Sequence, residues 1–227
     1  MTKFAFEVPI PHLWDFHLQQ DFLFGLSFLC KVPEYREYLN LTKQDLHFVL
    51  DNSYNELQAP QTPTRMTELW DLFKPNLVVA PDTDWWTAEA ALDAYKQVGV
   101  HHSAKLALVK DEYEYNLLER AGCFNFAASY YWRPEMSQRL KEKCAYWFGL
   151  TDLDEFKEHK PKYLDTGMPI KLAMLEVSWK DWVAEGCPHI HSKGIYQAYF
   201  KCKMSQAQVQ EAKDNIKRLK EACHGNE

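Results

Sequence analysis

Two apolar runs in this sequence stop on an acid. Residues 46–51, LHFVLD, end at Asp51 and dissolve into a polar, proline-bearing loop, and residues 76–82, NLVVAPD, end at Asp82 just before Trp85 and Trp86. A carboxylate at the end of a buried strand, partly desolvated by Tyr54, Trp85 or Trp86, suits a nucleophile or a general base. It suits equally an acceptor for the donor edge of a purine-like base. The same reading of strand ends adds Glu7, Lys110, Glu176 and His191, so several ionisable groups would converge. Each acid taken singly has a plainer use, as a cap of the loop that follows or a partner for a nearby cation.

Other residues offer weaker chemistry. Cys187, His189 and His191 share one face if they lie on a strand, as a metal site would need. Pro188 interrupts any ladder there and no fourth ligand has a recognisable spacing, so no metal is expected and no cofactor is implied. His101 and His102 read as solvated surface. Trp85, Trp86, Tyr130, Tyr131 and Trp132, with Arg133 behind them, have the chemistry to stack a flipped base, although core packing uses the same residues. Arg133, Arg139, Lys141 and Lys143 suit phosphate, and a solvated helix face accounts for the last three equally well.

These residues need elements to hold them. Eight short runs read as strands, at 4–8, 21–29, 46–51, 76–82, 104–109, 123–128, 170–177 and 187–192, and segments of helical period lie between most of them. That alternation predicts parallel strands and crossover helices, and eight units predict a compact TIM-type (β/α)8 barrel, whose working residues sit at the carboxyl ends of its strands. Helix signals include Met66, Leu69, Trp70 and Phe73 after Thr64, a helix stopped at Gly99, and a capping-box-like start at Asp111 with Glu114 before a stop at Gly122. Pro134 is placed to open the next helix. Residues 149–169 show no period and are expected to form a long loop insertion before the seventh strand. A final helix is expected over 205–223, and one domain over 1–227.

Composition sets the outer limits. The chain has 227 residues, 46% hydrophobic and 15% aromatic, which suits a packed globular protein and not a disordered one. A formal charge of -6 argues against an all-over nucleic-acid surface but leaves room for a local basic groove. Six scattered cysteines, no signal-peptide pattern before Phe4 and no apolar stretch near the roughly 20 residues of a spanning helix point to a cytoplasmic setting without membrane attachment.

The strand ends carry a resemblance. The succession VLDN, VVAPD, FNFAASYYWRPE, IKLAMLEVS and GCPHIHSKG resembles the tRNA-guanine transglycosylase family over about residues 4–200, most of all the short phage and bacterial branch that inserts 7-deazaguanine into DNA. The resemblance implies a pentosyltransferase that exchanges guanine for a 7-deazaguanine through attack at the glycosidic carbon. Its partners would be DNA, or less readily tRNA, and the free deazaguanine base, with a homodimer or paralogue as a further partner. It implies Asp51 as a catalytic group and Asp82 as the reader of the guanine edge, with Lys110, Glu176, Trp85, Trp86, Tyr130 and Arg133 as substrate contacts. The sequence departs from the family where His191 stands in place of an expected aspartate, Lys110 in place of a glutamine, and the zinc-binding cysteine cluster is missing. Two other readings stay open: a catalytically silent nucleic-acid-binding or partner subunit of the same fold, and a nucleoside N-glycosidase.

Overall fold

A computed structural model describes residues 1–57, 59–82, 86–150, 152–188 and 199–224. Eight strands alternate with helices: β1 (Lys3–Ala5), β2 (Leu23–Leu26), β3 (Phe48–Asp51), β4 (Leu77–Val79), β5 (Lys105–Leu108), β6 (Phe126–Ser129), β7 (Tyr146–Phe148) and β8 (Tyr163–Asp165). Their order is β1-β8-β7-β6-β5-β4-β3-β2, that of a (β/α)8 barrel, as expected from the sequence. The chain divides into two compact units, residues 22–145 and residues 1–21 with 146–227.

The unit 22–145 holds β2 to β6, paired in parallel through Leu26 with Asp51, Leu50 with Val78, Val79 with Leu106 and Leu108 with Ala127. Val49, Leu50, Val78, Val79, Leu106 and Ala127 are wholly buried, which is why these strands read as continuous apolar runs rather than alternating ones. The helices start where a side-chain oxygen can satisfy an orphan amide. Thr62 caps Pro63–Phe73, Thr87 caps Ala88–Gln97, Asp111 caps Glu112–Arg120 and Ser137 caps Gln138–Lys143. Pro134 opens no helix of its own: it lies in a 3-10 turn, Arg133–Glu135, and the helix waits for the Ser137 hydroxyl. Gly122, at φ 85°, turns the chain after Glu112–Arg120 in the left-handed region that glycine enters without cost.

In the other unit β8 pairs in parallel with β1, Ala5 opposite Asp165, and with β7, Phe148 opposite Asp165. One strand assignment made from sequence is wrong here, and a second lies mostly outside the described residues. Residues 170–177 are not a strand: Met168–Met174 is a helix, with Pro169 in its first turn and Met168, Ile170, Leu172 and Ala173 all buried. A short helix buried on every side shows no amphipathic period, so its apolar run cannot be told from that of a buried strand. The expected eighth strand, 187–192, begins with Cys187 in a left-handed conformation, and its residues from His189 onward lie outside the described ones. The seventh and eighth strands instead come from YWF at 146–148 and YLD at 163–165, and the expected 149–169 loop carries the helix Leu153–His159 and β8 itself. Three-residue strands give too little pattern to be seen in a sequence.

The long helix Gln206–His224 packs on Met168–Met174 through a stripe of Val209, Ala212, Ile216 and Leu219. Within that stripe the buried Asn215 donates from Nδ2 to the carbonyl of Pro169 at 3.3 Å. Lys220 Nζ ties the same helix to the Gln19 carbonyl and to Asp21 Oδ2, both at 2.9 Å.

Candidate functional site

In the unit 22–145, polar side chains gather at the carboxyl ends of β3, β4 and β5. Asp51 closes β3, and its Oδ2 accepts from the backbone N–H of Ser53 at 2.6 Å, the turn-capping role that Asp often takes. Asn52 is buried and bridges outward, its Nδ2 donating to the Ala80 carbonyl at 2.9 Å and to Asp82 Oδ1. Beyond β5, Lys110 gives its backbone N–H to Glu114 Oε2 at 2.8 Å. Its ammonium donates to the Trp86 carbonyl at 3.1 Å and lies 5.8 Å from the centre of the Trp132 ring.

Glu114 is the perturbed group of this cluster. It is only 2% exposed, its backbone N–H is held by Asp111, and its Oε1 is buried and meets no hydrogen-bond donor among the described residues. Burial pushes its carboxyl up to about 7. The Lys110 ammonium and N–H oppose that rise, while the negative charges of Asp111 and Asp82 reinforce it. Sequence reading gave Glu114 only a helix-capping role. The reciprocal bond does exist, displaced by one residue onto the N–H of Lys110. Its burial had no local signal, because it depends on what covers the first turn of the helix.

The unit formed by 1–21 and 146–227 holds a second group of charges at the ends of β1 and β8. Glu7 lies two residues beyond β1, and its Oε2 is 3.2 Å from Lys171 Nζ, both side chains being largely buried. This is a close charge contact and not an aligned hydrogen bond, since Oε2 makes none. Gly167 explains how the two come so close: a Cβ there would lie 2.7 Å from Glu7 Oε2 and 2.9 Å from Lys171 Cε. The buried Tyr199 donates its hydroxyl to the Glu7 carbonyl at 2.6 Å, and its ring centre is 5.6 Å from Lys171 Nζ. Asp165, the last residue of β8, and Thr166 are buried beside this turn. Glu7 was visible as a strand-end acid, whereas Lys171 was hidden by the mistaken strand at 170–177.

The remaining nominated residues divide clearly. Tyr130 follows β6 and is half-buried, and Arg133 is fully buried in the 3-10 turn beyond it, a position from which it presents no surface to a polymer phosphate. Trp86 enters the first cluster through its carbonyl. Glu176 stands at no strand end: it is exposed, in a left-handed conformation (φ 56°), where it terminates the helix Met168–Met174. Trp85 and His191 lie outside the described residues. Among the described residues no three His, Cys, Asp or Glu side chains gather as a metal site would require, and no helix is long and apolar enough to cross a membrane. All six cysteines are free thiols.

No protein-family model matches the sequence, and no curated protein does. Solved structures do match. The N-acetylneuraminate lyase of Fusobacterium nucleatum is similar over 96% of this chain and 98% of its own, with a TM-score of 0.53 and 13% identity. CdNal of Clostridium difficile, solved in complex with mannosamine, is similar over 92% of this chain and 90% of its own, with a TM-score of 0.50 and 11% identity. At such identity the likeness establishes the fold. It also corrects the resemblance drawn from strand ends, for neither of these barrels, the first of them a lyase, is a tRNA-guanine transglycosylase. The structure supplies the physical reason: IKLAMLEVS lies in a helix and its turn, so one of the five segments behind that resemblance ends no strand, and GCPHIHSKG begins no strand in its described part. With it go the pentosyltransferase activity, the exchange of guanine for 7-deazaguanine, DNA and tRNA as partners, the paralogue partner, and the silent-subunit and N-glycosidase alternatives.

Proposed function

We propose that this chain is a barrel enzyme of the lyase type, cytoplasmic, acting on a small carbonyl-bearing metabolite through the amine of Lys171. The observation that carries the reading is the buried contact between Lys171 Nζ and Glu7 Oε2 at the carboxyl ends of β8 and β1, the end of a parallel barrel where chemistry is done. The structural likeness to the N-acetylneuraminate lyase of Fusobacterium nucleatum supports the reaction class, and six free thiols support the compartment.

The chemistry follows from the two groups. An amine beside a carboxylate can pass its proton to that carboxylate and attack a carbonyl carbon, so that a C–N bond forms and the carbonyl oxygen takes up a proton. The carbinolamine then loses its hydroxyl as water, with the proton returned by the Glu7 carboxyl, and a protonated imine remains on Lys171. That cation draws the electron pair of the C–C bond one carbon away into an enamine as the bond breaks, while the hydroxyl on the departing carbon gives its proton to the Glu7 carboxylate and becomes a carbonyl. Tyr199 holds the backbone of Glu7 in place while this occurs.

The test is reductive trapping. The protein is incubated with pyruvate or an aldose and cyanoborohydride, and the modified peptide is identified by mass spectrometry. An adduct at Lys171, absent from Lys171→Arg and slowed in Glu7→Gln, is the expected result. Trapping spread over surface lysines, or none at all, would overturn the proposal.

A further inference from the structure

Residues 199–204 lie along residues 7–12 and are tied to them at three points. The Tyr199 hydroxyl donates to the Glu7 carbonyl at 2.6 Å, the Ile10 N–H donates to the Phe200 carbonyl at 2.9 Å, and the Met204 N–H donates to Nε2 of His12 at 2.7 Å. The strap so formed leads at once into the long helix Gln206–His224. Two of its ties end on carbonyls, which accept at any pH, and the third ends on an imidazole, which does not. A backbone N–H can only donate, so the ring nitrogen that receives it carries no proton. His12 is therefore neutral, with its proton on Nδ1, from which it donates to Asp15 Oδ2 at 2.8 Å. His12 and Met204 are both buried. Protonation of Nε2 would set two buried donors face to face and leave the Met204 N–H without an acceptor, a state that buried amides avoid. Asp15 accepts from an imidazolium as well as from an imidazole, so the ring keeps that bond and gives up the other.

We propose that His12 is an acid-sensitive latch on this strap: its neutral form, protonated on Nδ1, holds residues 199–204 against 7–12, and protonation of Nε2 opens the strap. Histidine suits the task, because its charge ordinarily changes roughly between pH 5 and 8. The latch is placed to matter, since the other end of the strap bears Tyr199, whose hydroxyl holds the Glu7 backbone. It needs no carbonyl substrate and stands apart from the imine reading at Lys171. Among the described residues, the ionisable groups on the elements that meet here are Glu7, Asp15 and His17 from residues 7–19, the exposed Lys201 and Lys203 of the strap, and Lys213 of the long helix, whose ammonium lies 5.9 Å from the centre of the Phe16 ring. Of these, Asp15 is the one hydrogen-bonded to the imidazole.

The experiment uses the 15N-labelled full chain, titrated from about pH 8 to about pH 5. Long-range 1H–15N spectra read the tautomer of His12, assigned by its loss in His12→Gln, or in His12→Asn should the first variant fold poorly. Hydrogen exchange, corrected for the intrinsic pH dependence of each amide, reads the strap. The expected result at the alkaline end is a bare Nε2 and a protonated Nδ1, the form that free imidazoles disfavour. Protection of the Met204 and Ile10 amides should then fall by about tenfold or more, following the titration of His12 itself. The Val209 amide, bonded to the Ser205 carbonyl at the start of the long helix, is the internal control and should change by less than about twofold. His12→Gln offers Met204 a carbonyl that cannot titrate, so there its amide should stay protected throughout. A proton on Nε2 at the alkaline end, an imidazole that stays neutral at the acid end, protection at Met204 that ignores the titration, or its loss at Met204 without Ile10 would each overturn the latch.

Discussion

Glu7 and Glu114 are both shielded carboxyls near a strand's carboxyl end with a lysine at hand, and they are held in opposite ways. Glu7 meets its lysine charge to charge, at 3.2 Å. Glu114 takes the backbone N–H of Lys110, whose ammonium reaches the Trp86 carbonyl and only partly offsets the effect of burial on the acid. The first carboxyl meets a buried cation directly, whereas at the second burial outweighs the cation nearby. A lysine close by does not by itself keep a buried carboxyl within the ordinary range, as Glu114 shows.

The comparison breaks most forcefully at Lys171. Lys171→Met leaves the Glu7 carboxylate buried and uncompensated and is expected to lower the unfolding free energy by about 3–5 kcal/mol, read from urea titrations at pH 7. The double variant Glu7→Gln, Lys171→Met should recover much of that loss. A double variant no more stable than the single one would show that the lysine matters through its packing and not its charge.

Next in size is a pH effect at Glu114. Its pKa is raised in the folded protein from an ordinary 4.5 to about 7. Between those values the native state therefore binds more protons than the unfolded one, and stability falls as pH rises through that window. The loss should reach about 3 kcal/mol by pH 8 and level off above it. Glu114→Gln should flatten this slope in urea midpoints taken from pH 4.5 to 8, and an unchanged slope would assign it to other groups. The smallest effect belongs to Asp111→Ala, which removes the cap of Glu112–Arg120 at a cost of about 1 kcal/mol. Because it also removes a negative charge facing Glu114, it should bring the upper end of that pH window downward. A cap loss without that movement would mean that Asp111 serves the helix alone.

Much of this was legible in the chain. Six of the eight strands announce themselves as apolar runs, since residues such as Val49, Val78 and Leu106 are buried on both faces of a parallel sheet. Asp51, Asp82 and Lys110 follow as strand-end residues, and the structure brings them to one end of β3, β4 and β5. The rest was hidden for stated reasons. At 170–177 a buried helix imitates a strand, which displaced Lys171 from view and gave Glu176 a place it does not hold. Asn52 and Glu114 matter through partners many residues away or through burial, and neither leaves a mark on local pattern.

The helix Gln206–His224 reaches back to the Pro169 carbonyl through Asn215 and to Asp21 through Lys220. The order of synthesis gives that tie a temporal meaning. Residues 22–145 form one unbroken stretch, able to collect their own contacts while later residues are still being translated. Glu7 emerges from the ribosome long before Lys171, and the helix bearing Lys171 gains its cover only after residues 206–224 have followed. The contact between Glu7 and Lys171 thus joins residues translated first to residues translated late, and the helix that covers it is translated last of all.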